Sequence, residues 1–191
     1  MEARVVCAGS ADGRIYALDA TTGRALWGRG VLTQGATECQ PAVAEGRGFV
    51  GSSDGRAYAL AIAAGAEFWR CSTADAVYAQ PLVIHGAVYT ASSDQTLTAV
   101  DALSGRAVWE LEMPAALGHP PVLVGDVLLL TAHGDPNLYA VSADSGQVLW
   151  HADTGDPIAA QRMLAGEVQY LLGTDGTVLS YALPRRQDAK R

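Results

Sequence analysis

The residues of this 191-residue chain able to catalyse or to hold a metal are few: four histidines, three cysteines and a set of carboxylates. A zinc or copper site needs several nitrogen or sulfur ligands converging on one point. His85, His119, His133 and His151 fall at four different phases of the internal repeat described below, and Cys7, Cys39 and Cys71 lie far apart. They read as scattered surface histidines and as buried or idle thiols. Asp12, Asp54, Asp94, Asp135 and Asp175 recur at intervals of 42, 40, 41 and 40. Calcium prefers a dense loop of oxygen ligands, which the segments around these aspartates lack, so turn formation is their expected role. No phosphate loop or HExxH motif is present. The expectation is therefore no enzyme, no cofactor and no metal.

The elements that must position these residues are set by the same period. Trp27, Trp69, Trp109 and Trp150 are spaced by 42, 40 and 41 residues, and "DGRIYALDATTGRALW", "DGRAYALAIAAGAEFW", "DQTLTAVDALSGRAVW" and "DPNLYAVSADSGQVLW" align in register. A further copy begins at "DGTVLSYAL". Asp-Gly steps at Asp12, Asp54 and Asp175 are hairpin signals. Thr22-Gly23, Ala64-Gly65, Ser104-Gly105 and Ser145-Gly146 mark a second turn, and Gly46, Gly86, Gly125 and Gly166 centre a third. The runs between turns are short and rich in Val, Leu, Tyr and Trp, with no sustained helical period. Three turns joining four strands, here called a to d, describe one blade of a β-propeller. The expected fold is all-β: a β-propeller of ~41-residue four-stranded antiparallel blades, three whole and two partial, in an incomplete or open ring of eighteen strands. Residues 1–183 form the repeat domain and 184–191 a polar basic tail with Arg185, Arg186, Lys190 and Arg191. Unpaired edge strands in such a ring invite self-association.

The spacing Ala-x-Asp-x-x-Thr-Gly-x-x-x-Trp resembles the tryptophan-docking motif of pyrroloquinoline-quinone-type propeller repeats. Its alanines are Ala17, Ala59, Ala99 and Ala140, its glycines Gly23, Gly65, Gly105 and Gly146, and the tryptophans complete each copy. The aspartate position holds Asp19 and Asp101 but changes to Ala61 and Ser142. The resemblance implies that each indole packs between neighbouring blades, with small Ala and Gly leaving room for it. It also implies a choice between a non-catalytic branch, which includes outer-membrane assembly lipoproteins and sensor domains of bacterial protein kinases, and quinone-dependent dehydrogenases. The dehydrogenases hold a calcium or lanthanide with acidic and amide side chains and often carry adjacent cysteines, which this chain lacks. A non-enzymatic scaffold for a protein partner or small ligand is the expectation; the alternative is a fragment of a dehydrogenase-like propeller carrying part of a quinone site.

Within the repeat, Gln40, Gln80 and Gln161 share one phase at the start of strand a, with Pro120 in the remaining copy. Such a strand lines a propeller's central channel, so Glu38, Gln40, Tyr78, Gln80, His119, Gln161 and Arg162 are candidates for a binding site at its mouth. The competing reading is that the glutamines satisfy backbone groups near the axis. A net charge of −7 argues against nucleic-acid binding. The most apolar stretch, Val122 to Ala132, is interrupted by Gly125 and Asp126, short of the ~20 residues a membrane helix needs. The N-terminal "MEARVVCAGSADG" has no secretory h-region, which fits a cytoplasmic chain as written. Arginine supplies 12 of the 13 basic residues, a bias of GC-rich bacterial coding.

Overall fold

A computed structural model describes the backbone of residues 5–165 and 168–182, and the side chains of these except 159–165, 168, 169, 181 and 182. The tail 184–191, the side chains of Gln161 and Arg162, and Gly166 lie outside the described residues. The chain divides into two compact units, Met1–Pro121 and Val122–Arg191.

The first unit holds three antiparallel sheets. One is three-stranded, β1 (Val5–Ser10), β2 (Arg14–Asp19) and β3 (Val31–Leu32). Two are four-stranded: β4 (Ala42–Ala44), β5 (Arg47–Ser52), β6 (Arg56–Ala61) and β7 (Glu67–Ser72), then β8 (Leu82–Ile84), β9 (Ala87–Ala91), β10 (Thr96–Asp101) and β11 (Ala107–Glu112). The second unit holds a four-stranded sheet, β12 (Val122–Val124), β13 (Val127–Thr131), β14 (Asn137–Ser142) and β15 (Val148–Asp153). A three-stranded sheet follows, β16 (Ile158–Ala165), β17 (Val168–Gly173) and β18 (Val178–Ala182). Every sheet is a meander in chain order, and the blade architecture expected from the repeat is present: all-β, with eighteen strands among the described residues.

Strands b and c of the two four-stranded sheets of the first unit are buried on both faces. Ala57 to Leu60 of β6 and Leu97 to Val100 of β10 are buried without alternation, as strands sandwiched between two layers must be. Strand d is buried mainly at its tryptophan. Trp27 Nε1 donates to the carbonyl of Ile62 at 2.8 Å, and Trp69 Nε1 to that of Ala102 at 3.0 Å, each in the turn between strands c and d of the next sheet. Trp69 shares a core with Phe49, Ala59, Val88, Val100 and Ala102. In the second unit Trp150 packs on Leu129, Leu138, Ala140, Ile158 and Leu171. Trp109 packs against Tyr89 within its own sheet, ring centres 5.8 Å apart and planes tilted by 45°.

The docking motif has a geometric basis. Ala59, Ala99 and Ala140 stand directly across the ladder from Trp69, Trp109 and Trp150. A larger residue there would occupy the indole's space. Gly65 and Gly105 adopt φ of +69° and +70°, and a Cβ on them would lie 2.9 Å from Trp27 and 2.6 Å from Trp69. Only glycine meets both demands. Their turn is closed by an amide-to-carbonyl bond from the glycine to the residue four positions earlier, at 2.7 to 2.9 Å in all four copies. Ala61 and Ser142, where the motif loses its aspartate, keep this backbone bond; Asp19 and Asp101 add bonds from Thr22 and Ser104.

Each four-stranded sheet also carries a β-bulge beside the tryptophan. The register passes from Trp69 opposite Ala59 to Glu67 opposite Leu60, so Phe68 is the extra residue; Val108 and Leu149 occupy the same place in the next two sheets. Bulges of this kind twist an edge strand and disrupt its outward ladder. The first sheet departs from the pattern. Trp27 lies outside any strand, because Gly28 and Gly30 take positive φ and turn the chain before β3. This turn accounts for the longer first interval of 42 residues.

Candidate functional site

In an antiparallel meander the b–c turns and the d–a connections fall at the same end of each sheet. At that end the structure builds a repeated clamp. The amide of Thr33 donates to the carbonyl of Gly13 at 2.8 Å, with Thr73 to Gly55, Met113 to Gln95 and Thr154 to Pro136 in the later copies. The hydroxyls of Thr33, Thr73 and Thr154 reinforce the same carbonyls at 2.8, 3.0 and 2.5 Å. Three of four d–a connections thus begin with a threonine whose spacing, four residues after the tryptophan in two copies, is visible in the sequence.

The repeat aspartates are latches as well as turn formers. Asp54 accepts from the amide of Gln34 at 3.0 Å and from the Tyr58 hydroxyl at 2.5 Å. Asp94 accepts from the amide of Ala74 at 2.7 Å and from the Thr96 hydroxyl. Each therefore ties the incoming d–a connection to the following b–c turn. Tyr16 and Tyr139 donate to Asp12 and Asp135 in the manner of Tyr58, so the Asp-x-x-x-Tyr spacing is the readable signal. These bonds favour the ionised carboxylates of Asp12, Asp94 and Asp135. The Tyr16 hydroxyl lowers the pKa of Asp12, while in Asp94 burial raises it and the bonds from Thr96 and its neighbours outweigh that rise. Tyr139 is pushed up to about 12, first by desolvation and then by Asp135.

On this scaffold the connections are stitched to both neighbours. Thr37, Val77 and Leu117 donate their amides to the carbonyls of Ser10, Ser52 and Ser92, each at 3.0 Å. Ser53 and Ser93 donate back to Ala36 and Ala76 at 2.8 and 2.9 Å. From Thr37 the chain alternates as a strand does: Thr37 and Cys39 are buried, Glu38 and Gln40 exposed. Val77 and Ala79 are likewise buried, Tyr78 is 47% exposed and Gln80 half-buried. Glu38, Gln40, Tyr78 and Gln80 thus occupy one register on connections that lead into the neighbouring strands β4 and β8. Their side chains make no hydrogen bond among the described residues.

His119 stands differently. The Leu117 amide fixes its register, which aligns His119 with Cys39 and Ala79 rather than with Tyr78; it is half-buried and engaged. Gln40, Gln80 and His119 all precede their strands by two or three residues. The backbone of Gln161 and Arg162 lies within β16.

The other titratable groups are structural in their surroundings. Cys39 is buried, its sulfur accepting from the Gly51 amide at 3.2 Å, and Cys7 and Cys71 are half-buried. Desolvation raises all three thiol pKa values. Among the described residues no three His, Cys, Asp or Glu side chains gather to hold a metal ion. At the opposite end, Glu45, Arg47 and His85 edge a small cleft between the second and third sheets. Arg47 is committed there, donating to the Leu103 carbonyl at 3.4 Å and lying 4.1 Å over the Phe68 ring.

Comparison with known proteins gives the same architecture. A family model described as outer membrane protein assembly factor BamB matches residues 11–157 and again 105–184. No curated protein matches the chain. BamB from Moraxella catarrhalis superposes with a TM-score of 0.81 at 20% identity, covering 95% of this chain and 58% of that one. The computationally designed Ika8 protein gives 0.82 at 18% identity, covering 96% and 57%. The designed Ika4 protein gives 0.70 at 17% identity, covering 80% of this chain and 94% of its own. The chain spans little more than half the length of the first two. With its repeats matched almost from end to end, the chain belongs to the outer membrane protein assembly factor BamB family of pyrroloquinoline-quinone-like β-propeller repeats.

Proposed function

We propose that the chain is a non-enzymatic propeller scaffold that binds a protein through the end carrying its b–c turns and d–a connections, as the interaction part of a larger bacterial protein. The observation that carries this reading is the in-register set Glu38, Gln40, Tyr78 and Gln80: polar side chains without internal hydrogen bonds, on connections pinned by repeated clamps. Rigid backbone with uncommitted side chains is what a recognition surface needs, since little ordering entropy is lost on binding. The family supports the protein class of ligand, its namesake being an assembly factor.

A photoreactive phenylalanine analogue placed at Tyr78, and for comparison at Leu103 in the c–d turn at the other end, tests the reading. Extract of the source cells should yield a discrete cross-linked protein at Tyr78, competed away by unlabelled chain, and none at Leu103. Equal capture at both positions, or none at either, overturns it. The enzymatic alternative predicts uptake of pyrroloquinoline quinone with calcium, read by its absorbance; no uptake is expected, and uptake would sink the non-enzymatic assignment.

A further inference from the structure

In each four-stranded sheet the strand b residue opposite the repeat alanine also pairs outward with the first residue of strand a. These pairs are Phe49 with Ala42, Tyr89 with Leu82 and Leu129 with Val122. Two residues earlier, Arg47, Ala87 and Val127 pair with Ala44, Ile84 and Val124. β1 has the same register, with Cys7 opposite Ala17 and Val5 opposite Asp19, yet among the described residues no strand lies on its outer side. Burial follows the difference. Phe49, Tyr89 and Leu129 are buried, whereas Cys7 is half-buried; Val50, Thr90 and Leu130 are buried, whereas Ala8 is exposed.

An aliphatic surface lies open beside this edge. Val83 of β8 packs with Ala42 and Ala44 of β4 against the core around Phe49 and Ala59. Val43 holds the equivalent place in β4, opposite Gly48 as Val83 is opposite Val88. Along the ladder Val43, Gly48 and Leu60 share one face, and Leu60 packs towards Ile15 of the first sheet. Val43 therefore faces the first sheet, where it is 55% exposed. Nor is β1 protected as the outer strands β7, β11 and β15 are. Those carry bulges and charges such as Glu67, Arg70, Glu110 and Asp153, while Val5–Ser10 is regular and uncharged. Bulges and charges are what keep added strands off a sheet edge.

We infer that the open edge of β1, with Val43 beside it, seats a short aliphatic strand supplied by a separate polypeptide. The strand adds antiparallel, in the place that β4, β8 and β12 fill in their own sheets. Those three show the side chains that fit: Ala-Val-Ala, Leu-Val-Ile and Val-Leu-Val. The residues flanking each tight a–b turn form a hydrogen-bonded pair, and bonding alternates from there, so the first and third residues of strand a bond to strand b. On β1 their partners are Val5 and Cys7. The first and third side chains of the added strand close over Val43, as Ala42 and Ala44 do over Val83. A lone strand suits the place better than the β1 of a second copy, because β4, β8 and β12 are themselves the last strands of their sheets. This seat goes beyond the scaffold reading, being made of backbone and aliphatic groups, and holds whether or not Tyr78 captures a partner.

Fluorescence anisotropy of the whole chain with a labelled peptide copying residues 79–86, which include Leu82–Ile84, tests the seat. The peptide should bind, with an affinity that salt barely changes because no ion pair is involved. Methylating the peptide's Leu82 and Ile84 amides should weaken binding about tenfold. Methylating its Val83 amide, which points away from β1, should change binding by less than about twofold. Val43→Ser should weaken binding about fivefold, and Val108→Ser, at an exposed valine of strand d, should leave it unchanged. Equal effects of the two methylation patterns would mean general apolar adsorption and would overturn the inference. So would full binding by Val43→Ser. Absence of peptide binding overturns it too, and where copies of the chain associate at the same time, it assigns the edge to a second copy.

Discussion

Gly23 and Gly105 share a backbone conformation but not a neighbourhood. Both have φ near +70°, yet a Cβ at Gly23 meets nothing within 4 Å while one at Gly105 comes within 2.6 Å of Trp69. Gly23→Ala should therefore cost only the left-handed backbone penalty, about 1–2 kcal/mol. Gly105→Ala adds overpacking and should cost about 2–4 kcal/mol in all. Urea midpoints of the two variants check the difference. Trp69→Ala should cost about 3–5 kcal/mol by opening a cavity. The carboxylates set the acid limit. Asp12, Asp19, Asp101 and Asp175 are all held below the ordinary aspartate value of 3.8 by hydrogen bonds, chiefly from Tyr16, Thr22, Ser104 and Thr177 respectively. Because the folded pKa values are depressed, their stabilisation is fully present above the unfolded value and is lost as pH falls through the folded ones. Denaturation followed from neutral pH downward should show a flat midpoint above about pH 5 and a decline below about pH 4. Tyr139 works in the opposite sense. Raised to about 12, it favours the protonated phenol, a contribution complete below the unfolded value near 10 and lost between the two. Tyrosinate absorbance should show a late-ionising group, shifted earlier by Asp135→Asn.

At the scale of elements, the bulge and the tight turns are where sequence choices meet packing. Phe68, Val108 and Leu149 are 51%, 60% and 50% exposed, too open to be core residues despite their type. Their role is positional: the extra residue keeps Trp69, Trp109 and Trp150 aimed into the layer. Val108→Lys should change stability by no more than about 0.5 kcal/mol. Deleting Phe68 removes the bulge and turns the indole to the other face, so loss of the folded chain or its aggregation is expected. Circular dichroism melts and light scattering separate the two outcomes. The a–b turns offer the reverse case. Glu45 and His85 have φ of +50° and +49° ahead of a glycine also at positive φ, the type I′ geometry that favours asparagine. Glu45→Asn and His85→Asn should each add about 0.5 kcal/mol, read as a higher urea midpoint. These turns and the strands they join were legible because Asp-Gly and X-Gly steps punctuate apolar runs at a fixed period. The break of the first strand d after Trp27 was not. The docking motif there is intact, and only the Gly28 and Gly30 conformations reveal the turn.

For the molecule as a whole, the first and last sheets have three strands each, and β1 has no ladder on its outer side among the described residues. An unpaired edge of this kind seeks a partner strand. Sedimentation velocity on this 191-residue chain should show concentration-dependent association, and a constant monomer mass across the accessible range would refute that expectation. The sequence by itself determined the period, the turn positions, the all-β class and the small residues around each tryptophan. All of these are imposed locally, by a φ that only glycine tolerates or by a side-chain volume that must recur. What only the tertiary structure decided was which polar groups are free to act. Tyr78 and His119 look alike as polar residues ahead of strand a, but amide bonds to Ser52 and Ser92, 25 residues back in each case, set the register that exposes one and tucks in the other. Asp54 likewise reads as a turn former, and becomes a latch only because the Gln34 amide arrives from the preceding connection. In extended chain a one-residue step reverses a side chain's direction, so the facing of each group depends on hydrogen bonds made with a different sheet, and no local pattern records them.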